Sequence, residues 1–118
     1  SIISDIRSRG LLPEIIVIAL ATNYRNITPA MLDNIMSAAG PNHKFILVTA
    51  YAGPTQPRET QNATMKNYAD AHSNVWLVDW YSIAIRDSSL LYNDRIHLDF
   101  AGRETYANLI ANKIKEIQ

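Results

Sequence analysis

"EIIVIALAT", residues 14–22, carries no charge after Glu14 and is dominated by branched aliphatic side chains. A strand with one wet face would alternate apolar and polar residues. An unbroken apolar run instead suits a strand covered on both faces, the habit of parallel sheets. Two further stretches read the same way, "KFILVTAY" (44–51) and "NVWLVDW" (74–80).

The segments between them are punctuated as helices. In "NITPAMLDNIMSAAGPN" (26–42), Thr28 is placed to cap and Pro29 takes the first turn, where its missing N–H costs nothing. Ile27 and Leu32 can staple the start, and Gly40 followed by Pro41 closes the end. After the Pro-rich loop "AGPTQPRET" (52–60), a helix over about 58–72 turns Met65, Tyr68 and Ala69 inward. Residues 81–85 read as a short helix. The last helix sets Tyr106, Leu109, Ile110, Ile114 and Ile117 on one stripe, and "IISDIRSRGLLP" (2–13) is a short opening helix ended by Gly10. Strand and helix in alternation predict a single α/β domain over residues 1–118, a parallel sheet within a three-layer α/β/α sandwich. Three strands are few for an open parallel sheet of typically about five or six, so a partner is expected to be lacking on the N-terminal side.

Composition removes several functions. Eleven basic residues balance eleven acidic ones with no basic stripe, which argues against a nucleic-acid partner. The absence of cysteine excludes disulfides and thiolate metal sites. Only four glycines are present and none forms a phosphate-binding loop, so a nucleotide-binding domain is excluded.

Ligands of open α/β sheets gather beyond the carboxyl ends of the strands. Thr22 and Asn23, residues 51–58, and Asp79 with Trp80 follow the three strands in turn. The loop before the last helix, "YNDRIHLDF" (92–100), adds Asp94, His97 and Asp99. A carboxylate three residues before a histidine can accept from one ring nitrogen and leave the other free to take a proton. Asp99 lies where a helix cap belongs. Asn23 holds an amide at the sheet edge, where it either forms a turn or donates to an oxyanion.

Taken in order, these pieces resemble the SGNH (GDSL-like) hydrolases. "VIALATN" (17–23) resembles their third sequence block, an apolar strand ending in G-x-N, and "NDRIHLDFAGRETYANLI" (93–110) resembles their last block, D-x-x-H-L before a glycine and a helix. "SNVWLVDWYSIA" (73–84) and "PRETQN" (57–62) look like one branch, the extracellular domain attached to membrane-bound acyltransferases that O-acetylate cell-wall peptidoglycan. The likeness spans about residues 10–118. It implies the SGNH-hydrolase, flavodoxin-like form of the sandwich, with His97 as general base, Asp94 as its orienting carboxylate and Asn23 in the oxyanion hole. Thr22, Arg58, Asn62 and Trp80 become the candidate substrate-binding residues.

Two departures stand out. Ala21 replaces the glycine of the third block, and the G-D-S block that carries the nucleophilic serine is absent. The resemblance therefore implies the C-terminal portion of such a domain, with the serine outside this chain and the fragment inactive alone. It further implies a Ser–His–Asp esterase or O-acyltransferase acting on acetyl esters of a cell-wall carbohydrate, without cofactor or metal. The parent would carry a membrane-embedded acyltransferase domain and display this one on the extracellular face of a bacterial membrane. The alternative is a carbohydrate- or partner-binding relic of the same fold.

Overall fold

Two helical layers enclose a parallel sheet in the computed structural model, which describes residues 2–21 and 26–118. Along the chain come α1 (Ile2–Ser8), β1 (Ile15–Ile18), α2 (Pro29–Ala39), β2 (Lys44–Val48), α3 (Glu59–Ala71), β3 (Val75–Val78) and α4 (Trp80–Arg86). A 3-10 turn (Ser88–Leu90) leads to α5 (Phe100–Ile117). The strands lie in the order β1-β2-β3, all parallel.

Register sorts the side chains onto two faces. Ile16, Phe45 and Val75 form one row and Ile18, Leu47 and Leu77 the next. These rows meet Leu32, Met36, Met65 and Tyr68 from α2 and α3, with Ile3 of α1 at the margin. Ile46, Trp76, Val48 and Val78 face the other way, against Trp80 and Ala84 of α4 and the Tyr106, Leu109, Ile110, Ile114 and Ile117 stripe of α5. The three-layer expectation holds. So does the helix punctuation: the Thr28 hydroxyl accepts from Met31 N–H at 3.1 Å, and Gly40 closes α2 at φ 96°.

The strands are shorter than their apolar runs. β1 ends at Ile18, yet Leu20 and Ala21 continue to pack against the α2–α3 core. Burial does not require membership of the ladder, so hydrophobicity overstates strand length. The reading of β1 as covered on both faces also needs correction. Val17 is 38 % exposed, because α4 and α5 lie over β2 and β3 and leave the β1 margin open. Among the described residues β1 has a neighbour on one side only, so one row of its backbone N–H and C=O groups is unpaired in the sheet.

Candidate active site

The loop from Leu91 to Asp99 is closed upon itself. Leu91 and Leu98 form an antiparallel bridge, Tyr92 N–H donates to the His97 carbonyl at 2.9 Å, and Asp99 N–H to the Leu90 carbonyl at 3.0 Å. Asp94 organises the interior of the turn. Its Oδ1 accepts from Ile96 N–H at 2.9 Å and His97 N–H at 3.1 Å, while its Oδ2 faces His97 Nδ1 at 2.6 Å. His97, then the Ile96 and His97 amides, hold the Asp94 carboxyl down at about 2. An ionised carboxylate only accepts, so the proton of a neutral His97 ring must sit on Nδ1. The lone pair is thereby left on Nε2, for which no partner occurs among the described residues. The pair is open to solvent, with 76 % of the His97 and 44 % of the Asp94 side chain accessible. Asp99 serves the helix instead. Its Oδ1 accepts from Gly102 N–H at 2.7 Å and caps α5.

His97 stands on the rim of a cleft of about 530 Å³ at the carboxyl ends of the strands. Trp80 and Tyr106 form its floor, with rings edge to face at 5.2 Å and 73°. Tyr51, Thr49 and Ala19 contribute the wall nearest the sheet. On the other side His97 borders an open hollow with Tyr92 and Arg103. Burial raises the Tyr106 hydroxyl above its ordinary pKa, so it remains a neutral donor through the physiological range.

No serine lines either hollow among the described residues. Thr49 does line the cleft, but its hydroxyl is already used. It donates to Asp79 Oδ1 at 2.9 Å and accepts from Tyr81 N–H at 3.0 Å, tying the end of β2 to the start of α4. Asp79 also accepts from the Ser82 hydroxyl at 2.6 Å. Burial pushes the Asp79 carboxyl up, but the Ser82 and Thr49 hydrogen bonds outweigh it and hold the group below its ordinary value. Sequence reasoning passed over Thr49, although a lone hydroxyl inside an apolar strand requires a partner.

Of the other residues singled out from sequence, Trp80 lines the cleft although it is only 4 % exposed. Arg58 and Asn62 both bond backbone, and Arg58 also lines a second cleft with Tyr51 and Tyr81. Asn62 clamps Ala50, accepting from its N–H and donating to its carbonyl, each at 2.9 Å, and so replaces a strand neighbour where β2 leaves the sheet. Arg58, also 4 % exposed, donates from Nε to the carbonyl of the wholly buried Ala21 at 2.8 Å. It therefore anchors the chain immediately before Thr22 and Asn23, which lie outside the described residues together with the expected meeting of Asn23 and His97.

Arg58→Met would fill the space but leave the Ala21 carbonyl unsatisfied. A charge-assisted bond of this kind contributes about 1.5–3 kcal/mol. Thermal denaturation should show a loss of roughly 6–12 °C, at about 4 °C per kcal/mol for a domain of this size. An unchanged melting temperature would show that the tether is dispensable.

No family model matches the chain. Among curated proteins it is similar to "Putative peptidoglycan O-acetyltransferase YrhL" of Bacillus subtilis (strain 168), with 28 % identity over 100 residues. The match takes in 85 % of this chain and 15 % of that protein, so the chain corresponds to a small part of its relative's length.

Proposed function

We propose that this chain supplies the acid–base half of an SGNH-type O-acyltransferase or esterase site acting on acetyl esters of a cell-wall carbohydrate. The observation that carries the reading is the short contact between Asp94 and His97 Nδ1, with Nε2 unpartnered among the described residues and His97 lining a cleft at the carboxyl ends of parallel strands. The likeness to a protein named for peptidoglycan O-acetylation supports the substrate class.

In the proposed reaction a serine hydroxyl attacks the acyl carbonyl and gives its proton to His97 Nε2. The protonated ring returns it to the departing alkoxide, leaving the acyl group on the serine. A carbohydrate hydroxyl or water then surrenders its proton to Nε2 and takes the acyl group, and the departing serine oxygen recovers that proton from the ring, which restores both groups. Asp94 stabilises the imidazolium at each stage, and Asn23 donates to the oxyanion. The serine belongs to a segment outside the described residues. The unpaired edge of β1 and the half-open Val17 are where an additional strand would pair and bury apolar surface. The setting is a cell-envelope protein whose membrane-embedded domain delivers acyl groups to the extracellular face.

The test uses the gene product that carries this sequence. His97→Ala should reduce acetyl transfer to an oligosaccharide to background while the melting temperature changes little, and intact mass measurement should find an acetylated serine in the unmutated protein. Retention of more than about a tenth of the rate by His97→Ala would reject the mechanism. The high exposure of the pair favours a second reading, a carbohydrate-binding relic without catalysis. In that case the unmutated protein shows no transfer and no acetylated serine.

A further inference from the structure

Beside the His97 cleft lies a second, of about 370 Å³, and the two share Tyr51, Ala52 and Gln56 as a common wall. Its interior differs in character from the first. The rings of Tyr51 and Tyr81 stand 5.9 Å apart at 60°, which makes an apolar corner rather than a flat stack. Around this corner are polar groups of both signs. The Tyr81 hydroxyl donates to Glu59 Oε1 at 3.1 Å, and Arg95 stands on the opposite rim. Ile85, which also lines the cleft, is 52 % exposed, so an apolar surface faces water beside the two rings.

The walls are held in place. Arg95 is the one non-glycine residue with positive φ among the described residues, at 57°, a conformation that costs free energy and needs support from its surroundings. Asp94 provides that support by accepting from the two amides that follow. Gly53, at φ 87°, lets the β2–α3 loop approach so closely that a Cβ there would lie 3.2 Å from Ile96 Cγ1. The turn that positions His97 is thus packed against the loop that forms the second cleft. Nothing among the described residues pairs with the Arg95 guanidinium, which is free to donate to a ligand.

We propose that this second cleft is a binding subsite for a neutral pyranose ring, which seats the carbohydrate so that its ester, or its accepting hydroxyl, reaches His97. A pyranose has an apolar C–H face and a rim of hydroxyls. The tyrosine corner matches the face with large, rigid side chains of few rotamers, and Glu59, Gln56 and Arg95 match the rim with one acceptor, one amide and one donor. Arg58 also lines the cleft, but it is buried and tied to the Ala21, Gln56 and Pro57 carbonyls, so one accessible cation, Arg95, stands against one carboxylate, Glu59, which favours an uncharged ring over an anionic polymer. The assignment to an acyl-transfer substrate rests on the function proposed above, whereas sugar binding itself does not.

The experiment titrates the isotopically labelled gene product that carries this sequence with N-acetylchitotetraose, following amide shifts and thermal stability. Saturable shifts are expected at residues 53–58, 81–85 and 95–96. Tyr81→Ala should weaken binding about tenfold and Tyr81→Phe less than about twofold, because the ring outweighs the hydroxyl. Ile85→Glu changes an already exposed side chain, so the fold is retained, and its added charge should weaken binding by a similar factor. Absence of saturable shifts up to about 10 mM, or equal affinity in Tyr81→Ala and Ile85→Glu to that of the unmutated chain, overturns the subsite. Since these readouts do not involve acyl transfer, the subsite can fail while the His97 mechanism stands, and the reverse.

Discussion

Asp94→Asn should leave the turn folded and lower acyl transfer by about four orders of magnitude, by analogy with aspartate replacement in other triads. The asparagine carbonyl can still accept from the Ile96 and His97 amides, as Oδ1 of Asp94 does at 2.9 and 3.1 Å. The difference lies at the second oxygen, now 2.6 Å from His97 Nδ1. An amide nitrogen there is a donor, so Nδ1 must become the acceptor and the ring proton moves to Nε2. A histidine in that tautomer cannot take a proton from a nucleophile on the cleft side. Nitrogen shifts of the labelled ring would show the tautomer directly, and a rate within tenfold of the unmutated protein would refute its importance.

The same carboxylate predicts how the turn responds to acid. Its pKa falls from 3.8 to about 2 in the folded chain, first through His97 and then through the two amides. A group with a depressed folded pKa contributes stability above its unfolded pKa and loses it as pH falls through the folded value. The Asp94 hydrogen bonds should therefore persist below pH 3.8 and give way only near pH 2. A carbon-detected titration of the Asp94 carboxyl would read this midpoint. The contribution is a local one, since the group is bathed in solvent.

Gly102→Ala is expected to be the most damaging single methyl in the chain. In most helix interiors alanine gains about 1 kcal/mol over glycine. Here the added Cβ would fall directly on the carbonyl oxygen of Leu90, with the carbonyl carbon at 3.0 Å and Asp99 Oδ1 at 3.4 Å. That carbonyl is backbone, and it already accepts from Asp99 N–H, so no rotamer change relieves the contact. Overpacking of this kind costs about 1–3 kcal/mol or more, which exceeds the propensity gain. The melting temperature should fall by roughly 10 °C. Because the Leu90 carbonyl also anchors the base of the Leu91–Leu98 turn, His97 should shift as well, and its amide resonance should move with those of residues 90–99. An alanine variant as stable as the original would mean that α5 slides freely on the 3-10 turn.

What could be read in the chain itself was local. Thr28, Pro29 and Gly40 bound α2 through contacts within four residues, and the three parallel strands follow from unbroken apolar runs. The Asp94–His97 pair was legible because three residues of backbone bring the two side chains together whatever surrounds them. The α5 stripe was legible because helical spacing alone puts Tyr106 and Ile110 on one face.

Only the tertiary structure decided what those elements meet. Arg58 and Asn62 were singled out as candidate ligand-binding groups, and the fold shows that one also holds a carbonyl 37 residues away and the other a peptide 12 residues away, because buried backbone groups need partners. The glycine near the start of the last helix is explained by the Leu90 carbonyl lying against it, a neighbour that no helical pattern reveals. β1 reads as covered on both sides, but Val17 is exposed because α4 and α5 come to rest over β2 and β3, and among the described residues the strand order leaves β1 with a neighbour on one side only. Propensity and spacing act over a few residues and are written in the chain. Close approach and the sharing of a cleft depend on packing between distant segments, which local sequence patterns do not encode.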